Sequence, residues 1–396
     1  EGEGPAGGEG PAGDGAVGVE RFLDEDRVQG GYEHVVYVLG NSEYHTGALA
    51  ALRSRPGVVL AHEVALGNLL RFSTWLPAAV PGGLEGAVER AYPELTDRIG
   101  RDGTLAALDD ERYALAMFRD VASHASRVLV TSEAARRLAA IDAGPDLQSR
   151  VGTLPFAIAL PPGELALVQA TRAADAARVT SGAAHRPPTV ASFGIVDPSK
   201  LPGRLIAAAG ILKGLGRPVS VVFVGPVSDA LRAELEAGAA EAGVADDVVI
   251  TGRVPREEYL SYLGRVEVAV QLRSGFCGEA SAATGDCLAA GVPTVVSDIG
   301  WFAELPDDAV VKLASSERAG SGGSAEPLAG VLFDLVSDGT RRSALGSRGA
   351  ELARTSSFER VAEALLRELG IEPAGSGVTH DHGPDRRRQG GLGGPA

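Results

Sequence analysis

Two carboxylates, Glu279 and Asp286, lie seven residues apart within the stretch Arg273 to Asp308. Seven residues make about two turns at roughly 3.6 residues per turn, so if both are helical their side chains share a face. A paired acidic face beside the carboxyl end of a strand can hold polyol hydroxyls. The bland alternatives are a helix-start acid that complements the dipole for Glu279 and an exposed helical acid for Asp286.

A second constellation is Ser192-Phe193-Gly194-Ile195-Val196-Asp197-Pro198-Ser199-Lys200. A strand is expected to end at Gly194, with Asp197 capping the next helix and Pro198 at its first position, where a missing N–H costs nothing. Lys200 then falls in the first turn, where a cation opposes the helix dipole. Free amides plus a lysine at a helix start make a phosphate site; the bland reading is an exposed lysine tolerating a poor position. Lysine is scarce, with Lys213 and Lys312 the others. Arg273 leaves its strand on the same edge and can meet phosphate oxygens with a bidentate fork. Amides of Ala280 to Ala282 are available to a diphosphate, and Asp286 to ribose hydroxyls. His62 ends another strand, as a sugar-facing group or a structural histidine; His45 is expected at the surface, with a place in an acceptor pocket as the alternative.

These residues need strands to deliver them. In the first half, buried strands are expected at His34 to Leu39, Gly57 to Glu63, Arg127 to Ser132 and Val151 to Pro155. Helices are expected at Thr46 to Leu52, Leu66 to Phe72, Leu84 to Ile99, Leu105 to Ala122 and Glu133 to Ala140. Residues 161–188, with Pro-Pro-Gly-Glu, an Ala/Arg-rich piece and Ser-Gly-Ala-Ala-His-Arg-Pro-Pro, read as an interdomain linker. From Thr189 strands and helices alternate, beginning with Val190 to Val196 and a helix over Ser199 to Lys213, which means βαβ units and a doubly wound parallel sheet. Ligands in such sheets bind at the strands' carboxyl ends.

The 396 residues, 44% of them apolar, exceed what one core usually holds, and two domains are expected. They are an α/β domain at 31–160 and a second at 189–369, with disordered Gly/Glu/Pro-rich and Arg-containing tails at 1–30 and 370–396. A net charge of -15 argues against nucleic acid or anionic membranes as general partners. Cys277 and Cys287 lack metal-ligand or disulfide spacing and read as fillers. No apolar run approaches a membrane span and no signal pattern opens the chain, so a cytoplasmic protein is expected. The start at Glu1, with Met117 the single methionine, fits a fragment or processed product.

Several of these motifs carry a resemblance. Phe193-Gly194 with Lys200 is similar to the glycine-and-lysine phosphate motif of retaining glycosyltransferases of family 4. Thr251-Gly252-Arg253-Val254 is similar to that family's nucleobase loop. Gly278-Glu279-Ala280-Ser281, with Leu288 to Val296 following, resembles its acidic signature. Val295 to Asp307 closely resembles a bacterial subgroup assigned to cell-surface polysaccharide synthesis, as do Leu39-Gly40-Asn41-Ser42, Leu60-Ala61-His62-Glu63 and Val128 to Ser132. Ile195 stands where the family usually has an arginine, and the family's two acids are commonly glutamates eight apart.

The resemblance implies a GT-B fold, two Rossmann-like domains facing across a cleft. Here the first domain would be incomplete, because the upstream strands of a full one have no counterpart before Val35. It implies transfer of a sugar from a nucleotide diphosphate sugar, with retention, to a glycan or lipid-linked acceptor, without a metal or other cofactor. A lipid-linked acceptor would bring peripheral membrane contact. Glu279 and His62 would be catalytic. Gly194, Lys200, Gly252, Val254, Arg273, Ala280, Ser281 and Asp286 would bind the donor. The alternatives are a non-catalytic relative kept as a binding or scaffold protein and, less well supported for want of another acid/base pair, a nucleotide-sugar epimerase.

Overall fold

Runs of Val, Leu and Ala build two parallel sheets, with almost no solvent exposure in the central strands and half-exposed strands at the ends, Val36–Leu39 and Val248–Gly252. The computed structural model describes residues 31–98, 115–181, 186–314 and 324–371. The tail at 1–30, and all of that at 370–396 beyond Ile371, lie outside these residues.

The first domain runs β1 (Val36–Leu39), α1 (Thr46–Ser54), β2 (Val58–Ala61), α2 (Gly67–Phe72), α3 (Gly83–Ala91), α4 (Phe118–His124), β3 (Arg127–Val130), α5 (Glu133–Ala143) and β4 (Val151–Thr153). Its strands pair in the order β1-β2-β3-β4, all parallel. Leu39, Leu49, Leu52, Val59, Leu70 and Phe118 fill the core. The Arg53–Asp120 ion pair, 2.5 Å long and buried, ties α1 to α4.

The second domain runs α6 (Pro162–Thr180), β5 (Thr189–Phe193), α7 (Pro202–Gly214), β6 (Ser220–Val224), α8 (Asp229–Glu241), β7 (Val248–Gly252), α9 (Arg256–Arg265), β8 (Val268–Gln271), α10 (Ala282–Ala289), β9 (Thr294–Asp298), α11 (Gly300–Glu304), β10 (Val310–Ala314), α12 (Glu326–Ser337), α13 (Gly339–Thr355) and α14 (Phe358–Glu368). Its strand order is β10-β9-β8-β5-β6-β7. The chain therefore winds outward from β5 in one direction and then from β8 in the other. The crevice between the carboxyl ends of β5 and β8 is the topological switch point, where open α/β sheets bind ligands.

Four local expectations change. The stretch 161–188 holds the 19-residue α6, packed on α9, because Pro162 stands at its first position, where proline is tolerated, and the Ala/Arg-rich piece favours helix. The helix expected from Ser199 splits into a 3-10 turn, Pro198–Lys200, and α7 from Pro202, with Leu201 left-handed between them at φ 55. Pro202 disfavours the right-handed helical region for the residue before it. Pro93 similarly ends the helix expected to reach Ile99, so α3 stops at Ala91 and a 3-10 turn, Pro93–Arg98, follows. The helix expected from Leu105 lies partly outside the described residues; its described part starts at Phe118, after left-handed Met117.

The two domains touch through the stretch after β8. Amides of Val64 and Ala65 donate to the Cys277 carbonyl at 2.8 and 3.0 Å. A Cβ on Gly278 would lie 2.4 Å from Val64 Cγ2, so only glycine fits this crossing. On the other side of the cleft, the Glu304 carboxylate accepts from the amides of Glu133 and Ala134 at 3.1 and 2.5 Å, capping α5 from the opposite domain.

Candidate functional site

At the switch point, Gly194 (φ 86) follows β5 and Leu272-Arg273 follow β8. Asp197 accepts from the Ser199 amide at 2.9 Å and Ser274 N donates to Ser199 O at 2.7 Å, so the two strand-end loops are pinned together. This turn carries Lys200 back over the strand end: a Cβ on Gly194 would sit 3.1 Å from Lys200 Nζ. Burial, and next the nearby Arg273 charge, lower the Lys200 pKa to about 8. Arg273 is also held below its ordinary value by burial. Its guanidinium donates to Leu272 O at 2.8 Å and to Ser281 Oγ at 3.4 Å and lies 5.2 Å from the Phe302 ring centroid. Two half-buried cations that repel each other make a seat for a multiply charged anion, because an anion offsets both desolvation and repulsion.

Opposite lies a pocket of about 400 Å³ between the domains. His45, His62, Glu63 and Thr131 reach it from the first domain, Glu279 and Ala280 from the second. His62 is held below its usual pKa by burial and then by His45, which favours the neutral imidazole. His45, expected at the surface, is turned in here and bonds Val38 O through Nδ1 at 3.0 Å. Burial raises the Glu63 pKa and the Glu279 charge adds to this, against an opposing hydrogen bond from the Asn41 amide. Glu279 Oε2 accepts from Cys277 N at 2.8 Å. Thr131 Oγ1 is buried without a hydrogen-bond partner and is free to bond a polar ligand.

The shared helical face expected for Glu279 and Asp286 does not form. Helix α10 starts at Ala282, with Ser281 as its N-cap accepting from Thr284 N at 3.2 Å, so Glu279 precedes the helix and turns to the cleft. Asp286 pairs with Arg256 at 2.9 Å, and Arg256 also binds Glu164 at 2.6 Å. Burial nevertheless raises the Asp286 pKa. Gly252 (φ 72) ends β7 and Val254 follows it, on the same edge as Gly194 but at the sheet's end strand. Ile195 is 63% exposed beside the lysine loop.

The match to a family model is confined to the second half of the chain, whereas the likeness to solved structures spans most of it. Residues 174–351 match the model of the glycosyl transferases group 1 family. That region holds β5 to β10 and every cation of the switch point. No curated protein matches the chain. Among solved structures, sucrose-phosphate synthase from Thermosynechococcus elongatus is similar at 17% identity and TM-score 0.56, over 89% of this chain and 77% of that one. The Anabaena protein HepE in complex with UDP is similar at 13% identity and TM-score 0.58, over 89% and 81%. WaaG, a glycosyltransferase involved in lipopolysaccharide biosynthesis, is similar at 14% identity and TM-score 0.53, over 88% and 81%. The fold is the GT-B arrangement of two Rossmann-like domains.

Glu63, Thr131 and Arg256 were not singled out from sequence. Glu63 had a readable signal, an acid directly after His62 at the end of a buried strand. Thr131 and Arg256 had none, because their roles depend on what packs opposite.

Proposed function

We propose that the chain transfers a sugar from a nucleotide diphosphate sugar to an acceptor hydroxyl. The observation that carries this reading is the pair of half-buried cations, Lys200 and Arg273, at the switch point, with Glu279 and Ala280, a few residues after Arg273, lining the polar pocket between the domains. The match to the glycosyl transferases group 1 model and the nucleotide in the HepE complex support it. The diphosphate sits against Lys200, Arg273 and the amides before α10, and the donor sugar extends between Glu279 and His62. The base lies toward Gly252 and Val254. Asp286 serves the ribose by giving up part of its pairing with Arg256.

In the reaction the anomeric carbon–oxygen bond to the diphosphate breaks and a bond to the acceptor oxygen forms; the acceptor proton ends on the leaving diphosphate. Charge grows on the leaving group, and preorganised cations and amides stabilise it there. Neutral His62 and Glu279 hold donor hydroxyls, and Glu63 with Thr131 fixes the acceptor hydroxyl across the cleft. With leaving group and acceptor on one face of the sugar, the configuration is retained. The cations meet the phosphate charge themselves, so no metal is required in this scheme.

A glycan or lipid-linked glycan acceptor of cell-surface polysaccharide synthesis fits the sequence resemblance, and a cytoplasmic location fits the donor class. Among the described residues no helix is long and apolar enough to cross a membrane. The test is nucleoside diphosphate release from a panel of uridine, guanosine and adenosine diphosphate sugars. Release lost in Glu279→Gln and Lys200→Ala is expected. Donor binding without release or transfer to any glycan acceptor would favour a non-catalytic binding protein instead.

A further inference from the structure

A cavity of about 790 Å³ opens at the other end of the second sheet. Val266 and Glu267, which lead into β8, and Gly291 and Pro293, which lead into β9, line it, so it lies at the strands' amino ends, away from the cleft. Pro161 and Pro162 wall it at the start of α6, and Arg354, Ser357 and Phe358 wall it at the junction of α13 and α14. These are the segments by which the chain passes between the domains. The Ile158 amide donates to Ser356 O at 2.8 Å between them, and Arg127 of the first domain pairs with Glu368 of α14 at 2.7 Å.

Three guanidinium groups line this cavity, those of Arg172, Arg342 and Arg354. Arg172 is half-buried and, among the described residues, has no carboxylate partner and makes a single long hydrogen bond, 3.5 Å to Leu263 O; burial lowers its pKa. Arg354 makes no side-chain hydrogen bond or ion pair among the described residues. Arg342 donates to Leu335 O at 2.5 Å. Of the acids lining it, Glu267 pairs with Arg186 at 3.2 Å, whereas Glu359, exposed at the start of α14, accepts from Ser357 and pairs with no cation among the described residues. The Phe358 ring is 59% exposed at the rim.

A half-buried cation without a paired carboxylate has part of its desolvation uncompensated, so an anion in the cavity is favoured at Arg172. A concave site with apolar walls and a few charges in its lining has the form of a small-molecule pocket. We propose that this hinge-side cavity binds a small phosphate-class anion carrying a planar or apolar group, with Arg172 and Arg354 on the anion and Phe358 against the body.

The test is calorimetric titration with phenyl phosphate of the wild-type chain, of Lys200→Ala, and of Arg172→Ala and the exposed-site variant Arg354→Glu made in the Lys200→Ala background, each checked for folding by circular dichroism. Lys200→Ala, in which the switch-point phosphate site is weakened, should still bind, and Arg172→Ala and Arg354→Glu in that background should bind at least tenfold more weakly. No binding to wild type, no binding to folded Lys200→Ala, or undiminished binding by folded Arg354→Glu in that background overturns the proposal. If Arg172→Ala does not fold, Arg354→Glu decides alone.

Discussion

Lys200 is the side chain on which structure and proposed function pull in opposite directions. Its folded pKa is lowered from 10.5 to about 8, so the native state disfavours its charge. The penalty on stability is therefore full below pH 8 and is relieved as pH rises from 8 towards 10.5. Lys200→Met should thus raise the melting temperature at pH 7 while weakening diphosphate binding, the trade expected of a site built for an absent charge. A lower or unchanged melting temperature contradicts the burial account. Wild-type affinity for a nucleoside diphosphate should also fall as pH rises above about 8, by about tenfold per unit once the ammonium is lost. Titrations between pH 7 and pH 9.5 check this, and a flat profile removes Lys200 from the phosphate. Lys200 and Arg273 were both legible from residue type and strand-end position. The pairing of Glu63 with Glu279 was not, because it joins residues far apart in sequence through contact between two domains.

The loops that place these groups depend on backbone that only particular residues allow. A Cβ on Gly225 (φ 153) would lie 2.2 Å from the Gly194 carbonyl oxygen. Gly225→Ala must therefore push the end of β6 away from the lysine loop at a cost of about 2 kcal/mol or more. Chemical denaturation measures the loss, and the same variant should bind nucleoside diphosphates more weakly. Strands were readable within one or two residues in most cases, since short buried Val-rich runs between turn signals leave few alternatives. Helix starts were less so. The breaks at Leu201 and Tyr92 follow from the prolines after them, and the expectation for Ser199 to Lys213 ignored Pro202. The error mattered, because it is the turn before Pro202, and not a helix start, that brings Lys200 to Gly194. Position α10 likewise begins at Ala282, and that later start separates Glu279 from Asp286.

Across the whole molecule, the cleft is held by few polar contacts. Glu304 reaches the start of α5 in the other domain, a cap worth about 1 kcal/mol by analogy with side-chain N-caps. Glu304→Ala should speed amide hydrogen exchange at Ala134 and lower the denaturation midpoint, and unchanged exchange would show that the cap does not hold the domains. The sequence argued for two domains from length and from the rhythm after Thr189. It could not show that the stretch Arg273 to Asp308 closes on the first domain at both ends, through Cys277 and through Glu304. That contact makes Glu279 part of a pocket shared by two sheets. The central claim is that the switch point seats a nucleoside diphosphate, and calorimetric titration of UDP, GDP and ADP into wild type and Lys200→Ala tests it most directly. The account predicts that at least one of them binds wild type and binds Lys200→Ala tenfold or more weakly, about 1.4 kcal/mol or more. Failure of all three to bind folded wild-type protein, or equal binding to Lys200→Ala, would contradict it.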